Sequence, residues 1–90
     1  MVFSILRAPV VQKATGLPKS SFYAQIAEGL LPPPIRMGKR SVGWLESEIN
    51  AIVFARAKGQ SDEEIRSLVK QLVEQRKSIE QKIKGEPYDR

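Results

Sequence analysis

The chain is expected to fold as a small, mainly α-helical domain carrying one two-stranded hairpin and ending in a long helix. Three observations lead there. Two short stretches with helical apolar spacing flank Gly16-Leu17-Pro18, two short apolar runs surround Gly38 just after three prolines, and a long amphipathic segment opens on Ser61-Asp62-Glu63-Glu64. The 90 residues suffice for a single domain. At 41% hydrophobic and 28% charged, the composition is that of an ordinary globular chain rather than a disordered or collagenous one.

Pro9 to Gly16 reads as a short helix, because proline suits a first turn and glycine a stop. Leu17-Pro18 makes a corner, and Ser20 to Glu28 resumes the helical pattern with Phe22 and Ile26 one turn apart on an apolar face, closed by Gly29. Two short helices across a glycine-containing turn form a helix-turn-helix, whose second helix has the size of the DNA major groove. Pro32-Pro33-Pro34 supplies no backbone donors and holds the chain near polyproline II, which makes it a stiff connector. Ile35-Arg36-Met37 and Ser41-Val42-Gly43-Trp44 then read as two strands around Gly38-Lys39-Arg40. The tip of this hairpin presents Lys39 and Arg40 side by side, as a wing does when it lays cations along a phosphate backbone.

From Leu45 to Lys58 the residues Leu45, Ile49, Ile52 and Val53 recur at helical spacing and predict a core-packing helix ended by Gly59, with Trp44 as a core plug between hairpin and helices. Ser61 to Glu64 has the form of a capping box. The last helix runs from there to about Lys84, with Ile65, Leu68, Val69, Leu72, Val73, Ile79 and Ile83 in a stripe interrupted by Gln75, Arg76 and Lys82. Fewer than three clean heptads do not make a coiled coil, so its first half is expected to pack on the domain and its second half to project or meet another subunit. The expected division is residues 1–60 for the winged domain, 61–84 for the C-terminal amphipathic helix and 85–90 for a flexible tail.

Charge is unevenly placed. Residues 1–45 hold six basic groups (Arg7, Lys13, Lys19, Arg36, Lys39, Arg40) against Glu28 alone, whereas residues 46–90 hold nine of each sign. The net +5 of the chain therefore belongs to its first half, and a polyanion would meet that half. Cysteine and histidine are both absent, which excludes disulfides, thiolate nucleophiles and the ordinary zinc sites; an intracellular, cytoplasmic setting is expected, with no metal or cofactor. No run approaches the roughly 18 apolar residues of a membrane span, and no secretory pattern opens the chain. Glu46, Glu48, Asp62, Glu63 and Glu64 lie near helix starts, where capping and dipole compensation account for them, so no enzyme is expected. Gly38-Lys39-Arg40-Ser41 lacks the upstream glycine of a phosphate loop, and no small-molecule ligand is indicated.

The ordered series Ile5-Leu6-Arg7, Thr15-Gly16-Leu17, Ser21-Phe22-Tyr23, Ala27-Glu28-Gly29, Pro32, Pro34-Ile35-Arg36-Met37-Gly38, Lys39-Arg40, Val42-Gly43-Trp44 and Glu48-Ile49 resembles the AlpA family of prophage regulators over roughly residues 5–58. The resemblance implies an excisionase-like or MerR-like winged helix-turn-helix that binds DNA and controls transcription, often of an integrase gene, with some relatives assisting excision directly. It makes Lys19 to Ala27 the recognition helix and Arg36 to Ser41 the wing. Two positions depart from the family pattern. Pro18 stands where a capping serine is usual, and Ala24 where a longer basic side chain is common, although an alanine methyl still suits a thymine methyl.

With Phe22 and Ile26 inward, a helical wheel turns Ser20, Ala24 and Ala27 outward and sets Lys19, Ser21 and Tyr23 on the flanks. The expected DNA-binding residues are thus Lys19, Ser20, Ser21, Tyr23 and Ala24 on the helix, with Arg36, Lys39 and Arg40 on the wing. The expected partner is double-stranded DNA, with self-association through residues 61–84. The expected function is a sequence-specific transcriptional regulator of phage type, the alternatives being a recombination directionality factor acting at attachment sites or an adaptor that uses helix 61–84 in a partner's groove.

Overall fold

A computed structural model describes residues 4–85, and their side chains as far as Lys77. The order is β1 (Ile5–Leu6), α1 (Ala8–Thr15), α2 (Lys19–Ala27), β2 (Ile35–Arg36), β3 (Val42–Leu45), α3 (Glu46–Ala57) and α4 (Asp62–Gly85). This is the expected mainly α winged helix-turn-helix, with one addition. The hairpin is part of a three-stranded antiparallel sheet in which β3 lies between β1 and β2. Ile5 faces Leu45 and Leu6 faces Trp44 on one side; Ile35 faces Gly43 and Arg36 faces Val42 on the other. Gly43 permits this closure: a Cβ there would collide with the Ile5 side chain and lie 3.2 Å from the Leu6 carbonyl oxygen.

Each helix ends where its residues dictate. Pro9 sits in the first turn of α1, and Gly16 stops it at φ 72°. Pro18 precedes α2 as an extended N-cap with no side-chain bond, which is what the loss of a capping serine entails. At the other end of α2, Leu30 N–H donates to the Gln25 carbonyl and Gly29 N–H to that of Ile26, a Schellman stop that needs the φ of 78° held by Gly29. The stop turns Leu30 and Leu31 into the core, followed by a fully buried Pro32. The connector is therefore anchored at its start rather than merely stiff. The Ser61–Glu64 capping box forms with both reciprocal bonds, at 2.8 and 3.2 Å.

Val11, Phe22, Leu30, Leu31, Trp44, Ile49, Ile52, Ala55, Ile65 and Val69 make the core. Trp44 plugs it as expected, with its indole N–H donating 3.0 Å to the Pro32 carbonyl oxygen, so no polar atom is stranded by burying the ring. The inward face of α3 corrects the sequence expectation. Positions 48, 49, 52 and 55 are buried, whereas Val53 is 37% and Phe54 67% exposed. The inward row follows three- and four-residue steps through Ala55, and Val53 falls one position past it. Leu45 is the last residue of β3 and the N-cap of α3 rather than a helical core residue. In α4, Ile65 and Val69 are buried, and Leu68, Leu72 and Val73 pack against the same cluster. The stripe positions Ile79 and Ile83 have side chains beyond those described; of the tail expected at 85–90, Gly85 is instead the last residue of α4, and 86–90 lie outside the described residues.

Glu48 is the one buried charged residue of the described core, at 3% exposure. Dipole compensation does not account for it. Its carboxylate is gripped by Arg76, whose Nη2 donates to Oε1 at 2.6 Å and Nε to Oε2 at 2.8 Å. A carboxylate taken out of water requires such a fork, because burial without a partner costs several kcal/mol, on the order of 3–5. Arg76, read from the sequence as an interruption of the apolar stripe, is the partner that the core of α3 demands.

Candidate nucleic-acid interface

The residues expected to face DNA fall into two groups held by different elements. Lys19, Ser20 and Ala24 are exposed along α2, Ser21 is half-buried, and Ala27 is exposed at its end. Tyr23 leaves 48% of its surface to solvent while its ring meets Phe22 edge-on at 4.9 Å between centroids. Its root is thus fixed and its hydroxyl end free, which suits a contact residue. On the hairpin, Arg36 is exposed at the position facing Val42, and Lys39 and Arg40 are exposed in the turn that the Met37 N–H to Ser41 carbonyl bond closes at 2.8 Å. The two groups are linked through the core: Phe22 on α2 meets Trp44 on β3 with centroids 5.6 Å apart.

One cation counted in this half was not among the expected DNA-binding residues. Arg7, at the N-cap of α1, donates from Nη1 to the Val42 carbonyl oxygen at 3.3 Å and remains exposed, so it sits beside the wing strand opposite Arg36. The pairing of Leu6 with Trp44 brings it there, and that pairing was not expected from the sequence.

Electrostatically the two halves differ in more than net charge. Among the described residues, both ion pairs lie in the second half, Arg56 with Asp62 and Arg76 with Glu48. Arg7, Lys13, Lys19, Arg36, Lys39 and Arg40 enter none. Helix starts follow the same division. α3 opens with Glu46 and Glu48 and α4 with Asp62, Glu63 and Glu64, while α1 and α2 have no acid in the first turn. In α2 a lysine even occupies that turn, against the helix dipole. The positive ends of α1 and α2 are left without a carboxylate.

Two arginines of α4 reach across to the segment joining α2 to the hairpin. Arg66 donates from Nε to the Glu28 carbonyl oxygen at 3.0 Å, and Arg76 from Nη2 to that of Pro33 at 2.9 Å. Neither was singled out as functional from the sequence. A signal existed for Arg76: Glu48, Ile52 and Ala55 are spaced i, i+4, i+7, which puts a carboxylate on a core face, and Arg76 is the arginine that breaks the α4 stripe.

Fold and surface together define a small winged helix-turn-helix domain whose helix-turn-helix and wing carry exposed cations that enter no ion pair among the described residues. Residues 4–53 match the family described as "Prophage CP4-57 regulatory protein (AlpA)", more than half of the chain, and the chain belongs to that family of prophage regulatory proteins. It is similar to "Uncharacterized protein ORF88" of Enterobacteria phage P4, with 39% identity over 54 residues, 60% of this chain and 61% of that relative. No solved structure matches. The family match ends within α3, so α4 lies outside it. Among the described residues no helix is long and apolar enough to cross a membrane, and no three acidic, histidine or cysteine side chains are grouped so that they could hold a metal ion.

Proposed function

We propose that the chain is a sequence-specific regulator that binds duplex DNA. In this reading α2 enters the major groove with Ser20, Tyr23 and Ala24 toward the bases, Lys19 and Ser21 near the backbone, and Arg36, Lys39 and Arg40 along phosphates beside it. The carrying observation is the division of charge: the six cations of residues 1–45 are exposed, enter no ion pair among the described residues and have Glu28 as the one acid of their half, whereas the second half matches its cations with as many acids and holds both ion pairs. Adjacent cations at a hairpin tip contribute nothing to folding, and a lysine in the first turn of a helix opposes it. Both are understandable where phosphates supply the counter-charge. Membership in a prophage regulatory family supports the same reading, with integrase expression or excision as the controlled process and the cytoplasm as the setting. Pairing of copies on DNA through residues 61–84 completes the proposal, because one half-site per small domain gives limited specificity.

Binding to a labelled duplex at increasing salt tests it. Four phosphate contacts predict a slope of about −4 in log K against log salt. A salt-independent affinity overturns the reading. An in vitro excision reaction run with and without the protein then separates control of integrase expression from direct action at an attachment site.

A further inference from the structure

We infer that α4 is a splint for the reading head. Through Arg66 and Arg76 it fixes the placement of the hairpin relative to α2, and both arginines are positioning residues that take no part in the contact surface itself. The inference rests on the duplex-binding reading above.

The hairpin is seated on α2 through the Phe22–Trp44 contact and on β1 through β3, and the chain that leads from α2 into it is the segment from Glu28 to Pro34. Three consecutive prolines leave positions 32 to 34 without N–H groups, so beyond the burial of Pro32 the backbone here can be tied by hydrogen bonds only through its carbonyls. Three carbonyls in the segment accept side-chain bonds: Glu28 from Arg66, Pro32 from Trp44 and Pro33 from Arg76, at 3.0, 3.0 and 2.9 Å. Two of the three donors come from α4. They are ten residues apart, about 15 Å along a helix, so one rod reaches from the end of α2 to the approach of β2. At Glu28 the guanidinium also meets the negative end of α2. At Pro33 there is no helix end to satisfy.

Arg76 can hold Pro33 only because its own guanidinium is fixed. Glu48 takes Nε and one proton of Nη2, and the second Nη2 proton is left pointing to the Pro33 oxygen. The buried ion pair thereby does more than join α3 to α4; it aims a donor at the connector. A connector held in this way presents α2 and the hairpin together before DNA arrives. A loose one would have to be ordered during binding, at a cost in affinity with every DNA contact still made.

The test uses the full chain, a labelled duplex of random sequence, and three variants. Glu48→Leu with Arg76→Met replaces the ion pair by apolar groups, an exchange often neutral for stability, while removing the bond to Pro33. Arg76→Lys keeps a cation near Glu48 but loses the planar fork, and serves if the double variant does not fold. Lys39→Ala with Arg40→Ala is the reference for lost phosphate contacts. In the free protein, amide relaxation of residues 36–41 and exchange of the Trp44 indole proton should report greater motion in the first two variants. Their dissociation constants should rise roughly tenfold at every salt concentration, the cost of ordering about one residue, with the salt slope unchanged. The reference variant should instead flatten the slope. A folded double variant, or a folded Arg76→Lys, with wild-type hairpin dynamics or wild-type affinity overturns the inference. If the unaltered protein does not bind duplex DNA, the parent reading fails by itself, and unchanged hairpin relaxation then shows that α4 does not hold the hairpin.

Discussion

Phe22 and Trp44 meet with ring centroids 5.6 Å apart and planes inclined at 55°, and through this contact the helix of the proposed reading head is seated on the central strand of the sheet. Both rings are essentially inaccessible to solvent. The joint is made of dispersion and burial, which salt does not screen, while the surfaces it holds in place are cationic.

Phe22→Ala should therefore remove the seat of α2 and leave a cavity against Trp44. Truncation of a buried phenylalanine costs about 3–5 kcal/mol, a large part of what a domain this size possesses. Urea unfolding followed by the fluorescence of Trp44, the sole tryptophan, measures it. A loss below about 1 kcal/mol would mean that α2 is held mainly by its ends.

What was legible in the sequence and what was not divide along physical lines. Signals that act within a few residues were plain: Gly16 and Gly29 as stops, the Ser61–Glu64 box, the outward turn of Ser20 and Ala24. Pairings across long separations were not. β1 has two residues, too few to show alternation, and its partners Trp44 and Leu45 lie some forty positions away. Periodicity also treats every apolar residue as inward, which is why Val53 was expected in the core in place of Ala55; the backbone phase, fixed by Ile49 and Ile52, decides between them. The candidate surface was legible as charge because its cations are unpaired. The roles of Arg66 and Arg76 were hidden because each bonds a carbonyl, and a carbonyl has no signature in the sequence.

Gly43 carries a second prediction. Gly43→Ala sets a methyl into the Ile5 side chain and within 3.2 Å of the Leu6 carbonyl oxygen, which is backbone and cannot rotate aside. β1 should be displaced from β3 at a cost of about 1–3 kcal/mol, the usual range for overpacking. Amide exchange at residues 4–6 should accelerate while that of α3 is retained, and removal of Arg7 from the wing strand should accompany it. Unaltered protection of β1 would contradict this account.

The capping box gives a third. Ser61 and Glu64 exchange bonds at the start of α4, where Glu64 N–H would otherwise face water without a protein partner. Ser61→Ala should cost about 1 kcal/mol and lower the melting temperature by about 4–8 °C. Ser61→Asp should hold close to the wild type, since a carboxylate caps equally well and favours the helix start. Equal losses in the two variants would show that the backbone path, rather than the cap bond, fixes the start of α4.

Lys39 and Arg40 separate affinity from recognition. Both are exposed at the hairpin tip and enter no ion pair among the described residues, so either alanine substitution should leave stability within about 0.5 kcal/mol. Each should weaken binding to every duplex alike and reduce the salt slope by about one, because a single phosphate contact is lost. Ser20 and Tyr23 substitutions should behave differently. They lie on the exposed face of α2, where the proposed contacts are with base edges, so they should change which sequence is preferred while leaving the slope as it was. Selection from a randomised duplex pool, repeated with each variant, reads the preference, and a salt titration on random duplex reads the slope. If Ser20 and Tyr23 variants lose specific and random binding equally, α2 lies along the backbone rather than in the groove, and base recognition must be sought elsewhere on the cationic half.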